Sequence, residues 1–230
     1  MNTDFTWLIG GPQGSGVESG ANIFSKVCAQ MGYQVFGKRE FYSNIKGEHS
    51  YFTVRISDQK IHSNVNDVNL MVSFDAETIF RHFDEISFDG GIIYDSELEN
   101  IDTDRVRTLD KPFKDRLHKL LESKNKPFTI GGVLELAKEN GVKLYPVSFK
   151  TLLETLSEEV DNPRLRGLVR MYNVIGVSLS LGLIKMPSDS LVNSIDDIFS
   201  KKPKLQRLIS KLQVSRIVMH QKTLKILIIV

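Results

Sequence analysis

A short apolar run, Phe5–Gly10, leads straight into Gly10-Gly11-Pro12-Gln13-Gly14-Ser15-Gly16 and then into residues with helical spacing. Val17, Ala21, Phe24, Cys28 and Met31 recur at steps of three and four, and Gly32 supplies a natural C-terminal stop. A buried strand that ends in a glycine turn and opens a helix is the first half of a β-α unit. It commits the chain to a sheet with helices packed on its faces.

The pattern continues. Gln34–Lys38 reads as a second strand. Ser50–Ser57 alternates, with Phe52, Val54 and Ile56 on one side and Tyr51, Thr53 and Arg55 on the other. Leu70–Phe74, Gly91–Tyr94 and Lys143–Val147 are further strands, and Ala76–Phe83 is a helix between two of them. Helical periodicity marks Lys114–Ser123, Gly131–Glu139, Phe149–Glu159 and Arg164–Lys185, and Ser188 or Asp189 can cap a short helix through Phe199. The reading is a three-layer α/β/α domain with a mixed, mostly parallel sheet.

Charge divides the chain near Ser200. Of 30 basic residues, eight lie in 201–230, which contains no acid; residues 1–200 carry 22 basic and 28 acidic residues, a net −6. An acidic body argues against a nucleic-acid-binding surface. The longest apolar stretch, Met171–Ile184, lies between Arg170 and Lys185 and is too short to cross a bilayer. The N-terminus has no basic leader, and the single cysteine, Cys28, fits a reducing cytoplasm and excludes a four-cysteine metal or iron–sulfur set within this chain.

Three readings of the glycine loop compete. A nucleotide-hydrolase loop has the Gly11-to-Gly16 spacing, but Val17-Glu18 stands where Lys-Ser/Thr belongs. A dinucleotide fingerprint has Gly14 and Gly16, Ser19 in place of the third glycine, and Glu40 as a ribose partner, with Lys38 and Arg39 nearby. In that case Glu18, in the first helical turn, competes with a pyrophosphate. The third reading is a plain strand-to-helix turn.

Elsewhere, His49, His62, His82, His118 and His220 show no helical ligand spacing, and no carboxylate completes a metal triad in the sequence, so they read as structural or surface residues and no metal site is expected. Asp75 and Asp95 follow strands and read as caps rather than catalytic groups. Cys28 falls on the apolar stripe of the first helix. Gly176, Ser178, Ser180 and Gly182 give the late helix a small-residue surface for close packing in the core or against a partner.

Taken together, GGPQGSGVESGANIFSKVCAQMGYQVFGKREF, YSNIKGEHSYFTVRIS, LMVSFDAET and the late Met171-Tyr172-Asn173-Val174-Ile175-Gly176 resemble the gamma domain of the 2-oxoacid:ferredoxin oxidoreductases, from about Phe5 to about Lys204. The order and spacing of these segments carry the resemblance. It is nearest to the archaeal form, in which this domain precedes the alpha domain in one long subunit. Two departures stand out: Pro12 within the glycine–glutamine loop, and Lys46-Gly47-Glu48 where the family has Arg-Gly-Gly.

The resemblance implies oxidative decarboxylation of a 2-oxoacid, with coenzyme A as acyl acceptor and electrons passed to ferredoxin. It implies thiamine diphosphate, magnesium and an iron–sulfur cluster carried by alpha and beta regions. This chain alone is expected to bind none of them firmly and not to catalyse. Gly11, Gln13, Gly14, Ser15 and Gly16, with Lys46 and Arg55, are the residues expected to face coenzyme A or the 2-oxoacid. The alternatives are an NAD(P)-dependent oxidoreductase with a variant loop and a subunit-interaction module without a ligand.

The domain is read as residues 1–200 and the basic tail as 201–230. Leu205, Leu208, Ile209 and Leu212 give the tail a helical stripe, and 224–230 reads as a strand. A change of reading frame near residue 204, leaving a truncated product, is the favoured account; a native basic docking helix is the alternative.

Overall fold

The computed structural model describes residues 3–41, 49–159 and 171–187, with Ser190 and Ser194. Strands β1 (Asp4–Pro12), β2 (Gln34–Phe41), β3 (His49–Ser57), β4 (Val68–Ser73), β5 (Ile86–Asp95) and β6 (Lys143–Val147) form one sheet. Its order is β2-β3-β1-β4-β5-β6. β3 runs antiparallel to both β1 and β2, whereas β1, β4, β5 and β6 are mutually parallel. The expected mixed, mostly parallel sheet is therefore present.

Two apolar layers cover it. One face carries α1 (Val17–Gln30), α5 (Phe149–Glu159) and α6 (Met171–Leu183), and the other α2 (Ala76–His82), α3 (Lys111–Ser123) and α4 (Ile130–Glu139). Apolar side chains of β1, β4 and β5 point both ways into these layers, whereas no described residue of the edge strand β2 is fully buried.

Local chemistry sets the ends of the helices. Asp75 caps α2 by accepting from the Thr78 amide at 2.9 Å, as its sequence position suggested. Asp95 caps the 3₁₀ turn Ser96–Leu98 through the Glu97 amide at 3.1 Å. The α1 helix ends with the Tyr33 amide on the Cys28 carbonyl and the Gly32 amide on the Ala29 carbonyl, with Gly32 at φ 89. The α3 helix starts three residues earlier than the apolar periodicity indicates, because Asp110 caps it at the Phe113 amide and Pro112 is accommodated in the first turn. β5 likewise begins at Ile86, where exposed Phe88 and left-handed Asp89 (φ 63) interrupt the apolar pattern.

The late helix is core on nearly every side. Val174, Ile175, Val177, Ser178, Leu179, Ser180 and Leu181 are all buried. Its small residues serve intramolecular packing: a Cβ on Gly176 would lie 2.8 Å from Val72 and 2.9 Å from Phe74, so α6 sits directly on β4. Trp7 of β1, stacked on Phe24 at 4.2 Å, donates its indole N–H to Ser180 Oγ at 2.9 Å. Cys28 is fully buried in this layer, and burial pushes its thiol up to about 12. No helix among the described residues is long and apolar enough to cross a membrane. The readings of residues 160–170, of most of 188–199 and of the tail 201–230 lie outside the described residues.

Candidate functional site

After β1 the chain crosses to β2 by α1 on one face; after β4 it crosses to β5 by α2 on the other. The C-terminal ends of β1 and β4 thus flank a topological switch point, the place where open α/β sheets form a ligand crevice. The glycine loop leaves β1 there.

Its backbone is a tight turn. The Ser15 amide donates to the Pro12 carbonyl at 2.9 Å, and Gly14 has φ 91. Gly16 is the N-cap of α1 at φ 99, ψ 18, with no side-chain cap on the helix's first amides. Asn173 of α6 donates its amide to the Ser15 carbonyl. A Cβ on Gly16 would come within 2.3 Å of Asn173 Nδ2, so the loop needs glycine here for both its conformation and its clamp. Ser15 Oγ is sealed from solvent and finds no hydrogen-bond partner among the described residues. Gly11 is buried, Gln13 half-buried and Gly14 exposed.

The charge that Glu18 places in the first turn of α1 is met by Arg39 at 2.7 Å. That pair removes the objection that Glu18 repels an anion from the helix start. Glu40, the ribose partner of the dinucleotide reading, lies on β2, two strands and about 10 Å across the sheet from β1. Its carboxylate accepts from Tyr51 Oη at 2.8 Å and pairs with Lys38 at 2.9 Å. The antiparallel insertion of β3 displaces Glu40 from the position a dinucleotide fold requires, and the NAD(P) reading loses its geometric basis.

Arg55 stands apart from the glycine loop. It lies opposite Thr6 of β1, five residues and about 17 Å along the strand from Gly11. It makes a bidentate pair with Asp4 at 2.8 and 2.6 Å and donates to the Ser63 carbonyl at 3.0 Å. That hydrogen bonding and charge lower the Asp4 carboxyl and raise the Arg55 guanidinium. Its role is to fasten the far end of the sheet. Lys46 lies outside the described residues; the strands on either side of residues 42–48 end at the crevice edge, where Phe41 pairs with Ser50 and His49 with Pro12.

The sequence reading missed a polar cluster on the α2 side. His49 Nε2 faces His82 Nε2 at 3.0 Å, and His82 Nδ1 faces Glu85 Oε1 at 2.9 Å. His49, Asp75 and Glu77 offer possible ligand atoms within 4.8 Å of one another, so a His-carboxylate triad exists in space although it has no signature in the chain. β3 and α2 are separated by β4 in the chain and meet here only through the fold. The carboxylates already have partners: Asp75 Oδ1 accepts from the Thr78 amide and hydroxyl, and Glu77 accepts from Thr108 Oγ1 and from Arg81 Nε at 2.7 Å. The buried Arg81 guanidinium opposes a further cation there.

Burial, the His82 ring and Arg81 push the His49 imidazole down to about 3 from the ordinary 6.5. Between those values the unfolded chain holds the extra proton and the fold does not. The stability that neutral His49 contributes is therefore complete above pH 6.5 and drains away as pH falls toward 3. Urea unfolding at pH 7 and pH 4 should show the wild type losing about 3 kcal/mol more than His49→Gln over that interval. Equal losses in the two proteins would refute this assignment.

The sequence matches the family described as Pyruvate ferredoxin/flavodoxin oxidoreductase over residues 6–211. The chain belongs to that family. It is 36% identical over 196 residues to the alpha subunit of 2-oxoacid:ferredoxin oxidoreductase 1 of Sulfurisphaera tokodaii, covering 85% of this chain and 31% of the relative. It is 38% identical over 195 residues to the alpha subunit of the Saccharolobus solfataricus enzyme, covering 84% and 30%. The chain thus spans under a third of the length of these relatives. Its fold is that of the 2-oxoglutarate:ferredoxin oxidoreductase of Magnetococcus marinus, a structure with 2-oxoglutarate, coenzyme A and succinyl-CoA bound (TM-score 0.67, 17% identity, 97% of this chain and 32% of that one). It is also that of the keto/oxoacid ferredoxin oxidoreductase gamma subunit of Geobacter sulfurreducens (TM-score 0.61, 13% identity, 96% and 98%). The family match ends beyond both Ser200 and Lys204, within the basic segment.

Proposed function

We propose that this chain is the gamma region of a 2-oxoacid:ferredoxin oxidoreductase and that its glycine-loop crevice receives coenzyme A. The assembled enzyme would oxidatively decarboxylate a 2-oxoacid, transfer the acyl group to coenzyme A and pass electrons to ferredoxin in the cytoplasm. One observation carries the reading: in a chain of this family, the switch-point loop leads into helix-start amides that no side chain caps. Such a cradle suits an anionic ligand. When bound, thiamine diphosphate with magnesium supplies the electron sink, iron–sulfur clusters supply one-electron transfer, and coenzyme A supplies the acyl acceptor.

These groups make different demands on the chain. A cluster needs several thiolates, and the only cysteine here is buried with a raised pKa, so cluster binding is assigned to the alpha and beta regions; thiamine binding goes there on the family resemblance alone. A phosphate-bearing ligand needs donors and local positive potential. Gly11, Gln13, Gly14, Ser15 and Gly16 supply the loop that would face it, Asn173 holds the turn in shape, and Lys46 supplies charge.

The test is the assembled enzyme with Lys46→Ala. The KM for coenzyme A should rise about ten-fold, the loss of one charge-assisted contact. Unchanged coenzyme A and 2-oxoacid kinetics would remove Lys46 from the site. The isolated chain should neither oxidise 2-oxoacids nor bind NAD(P) saturably.

A further inference from the structure

Two strands on opposite sides of β1 send side chains across its end. β3 and β4 each pair with β1, so they lie about 10 Å apart. A ring nitrogen of His49 and a carboxylate oxygen of Asp75 nevertheless come within 4.8 Å of each other. His49 of β3 stands opposite Pro12, and Asp75 comes two residues after the end of β4. The Asp75 carboxylate therefore reaches over β1 at the point where the glycine loop begins. Gly10 leaves the room: a Cβ there would lie 2.7 Å from Thr78 Oγ1, the hydroxyl that donates to Asp75 Oδ1 at 2.6 Å. The Phe74 amide donates to the Gly10 carbonyl at 3.3 Å and ties the residue before Asp75 to the same point.

The carboxylate is anchored through one oxygen. Oδ1 accepts from both the amide and the hydroxyl of Thr78. Oδ2 takes no hydrogen bond from the described residues and is not sealed from solvent. Asp75 is half-buried, whereas Ser73, Glu77, Thr78 and His49 around it are buried. In this group Asp75 is thus the side chain that a ligand in the crevice can meet. Capping α2 uses Oδ1 alone, so the fixed and open Oδ2 is more than a cap requires. Burial pushes the Asp75 carboxyl up, against the pull of the Thr78 hydrogen bonds. A carboxylate oxygen partly stripped of water in this way is a strong acceptor for a donor that replaces the water.

We propose that Asp75 is a specificity-determining residue of the crevice, its Oδ2 accepting a hydrogen bond from a hydroxyl or amide N–H of coenzyme A while the phosphates lie against the glycine loop. The inference rests on the proposed function and extends it from the charge of the ligand to its organic part. A carboxylate cannot serve the phosphates, because like charges repel. It selects a ligand that carries donors beside its phosphates and gives nothing to a bare phosphate or pyrophosphate ion. The loop and Asp75 then divide the recognition between them: helix-start amides of α1 meet the anion, and the end of β4 meets the donors.

Asn and Ser cap helices as Asp does, which separates the two roles of this residue. Asp75→Asn keeps an oxygen for Thr78 and puts an NH2 group where Oδ2 stands; Asp75→Ser keeps a cap and has no second oxygen. In the assembled enzyme both variants should raise the KM for coenzyme A about ten-fold, the loss of one charge-assisted hydrogen bond, with the urea midpoint unmoved. Inorganic pyrophosphate, used as a competitor of coenzyme A, should inhibit the variants as well as it inhibits the wild type. An unchanged KM for coenzyme A in Asp75→Asn would overturn the inference and leave the proposed function standing. Equal weakening of coenzyme A and pyrophosphate would overturn it too, since Asp75 would then act only through the shape of the loop. A wild-type enzyme that does not bind coenzyme A would overturn the proposed function, and this inference with it.

Discussion

Gly16→Ala is expected to destabilise the domain by about 2–5 kcal/mol. Two independent effects add. An L-residue held at φ 99 costs about 1–2 kcal/mol in backbone strain. The new methyl group then lies 2.3 Å from Asn173 Nδ2, and overpacking of this kind costs about 1–3 kcal/mol. Gly32→Ala separates the two. Gly32 has φ 89, but nothing lies within 4 Å of the added Cβ, so it should cost only the backbone part, about 1–2 kcal/mol. Asn173→Ala in the Gly16→Ala background relieves the clash and should cost less than Asn173→Ala alone, a coupling of about 1 kcal/mol. Urea unfolding of the four proteins measures all of this. Equal losses for Gly16→Ala and Gly32→Ala would mean that Asn173 is not a clamp on the loop.

Arg81→Met should cost about 3–5 kcal/mol. Arg81 and Glu77 are 8% and 7% exposed, and their contact of 2.7 Å holds a charge pair away from water. Arg81 also donates to the Thr108 carbonyl at 3.1 Å and lies over the Phe113 ring at 5.3 Å. Removing the guanidinium leaves the Glu77 carboxylate buried, with the Thr108 hydroxyl still donating to it. The double variant Glu77→Gln, Arg81→Met removes both charges and should recover most of the loss, because an uncompensated buried charge is worse than no charge. A double variant as unstable as Arg81→Met would show that shape, rather than charge, dominates at this position.

Much of the layered fold is legible in the order of residues, since strand and helix periods are local. β6 and α5 have the bounds that the apolar pattern marks, and α1 starts and stops at the glycines. Even Asn173 and Gly176 stand out as a pattern, although the reason for them appears only when α6 lies across β4 and reaches the Ser15 carbonyl. The charged residues were read less well. Arg55 and Glu40 looked available for a ligand because their partners, Asp4 and Tyr51, face them across neighbouring strands rather than nearby in the chain.

The sequence alone established the alternation of strands and helices, the turn at Gly14 and Gly16, the capping roles of Asp75 and Asp95, and the family resemblance. The turn and the caps depend on backbone sterics or on side chains a few residues apart, and the resemblance on the order and spacing of whole segments. Only the tertiary structure put the loop at the switch point, sent Arg55 to the opposite end of β3, and brought His49 to within 3.0 Å of His82. Those outcomes depend on strand order and register, and register is set by the burial of both sheet faces at once, which no local stretch of sequence contains.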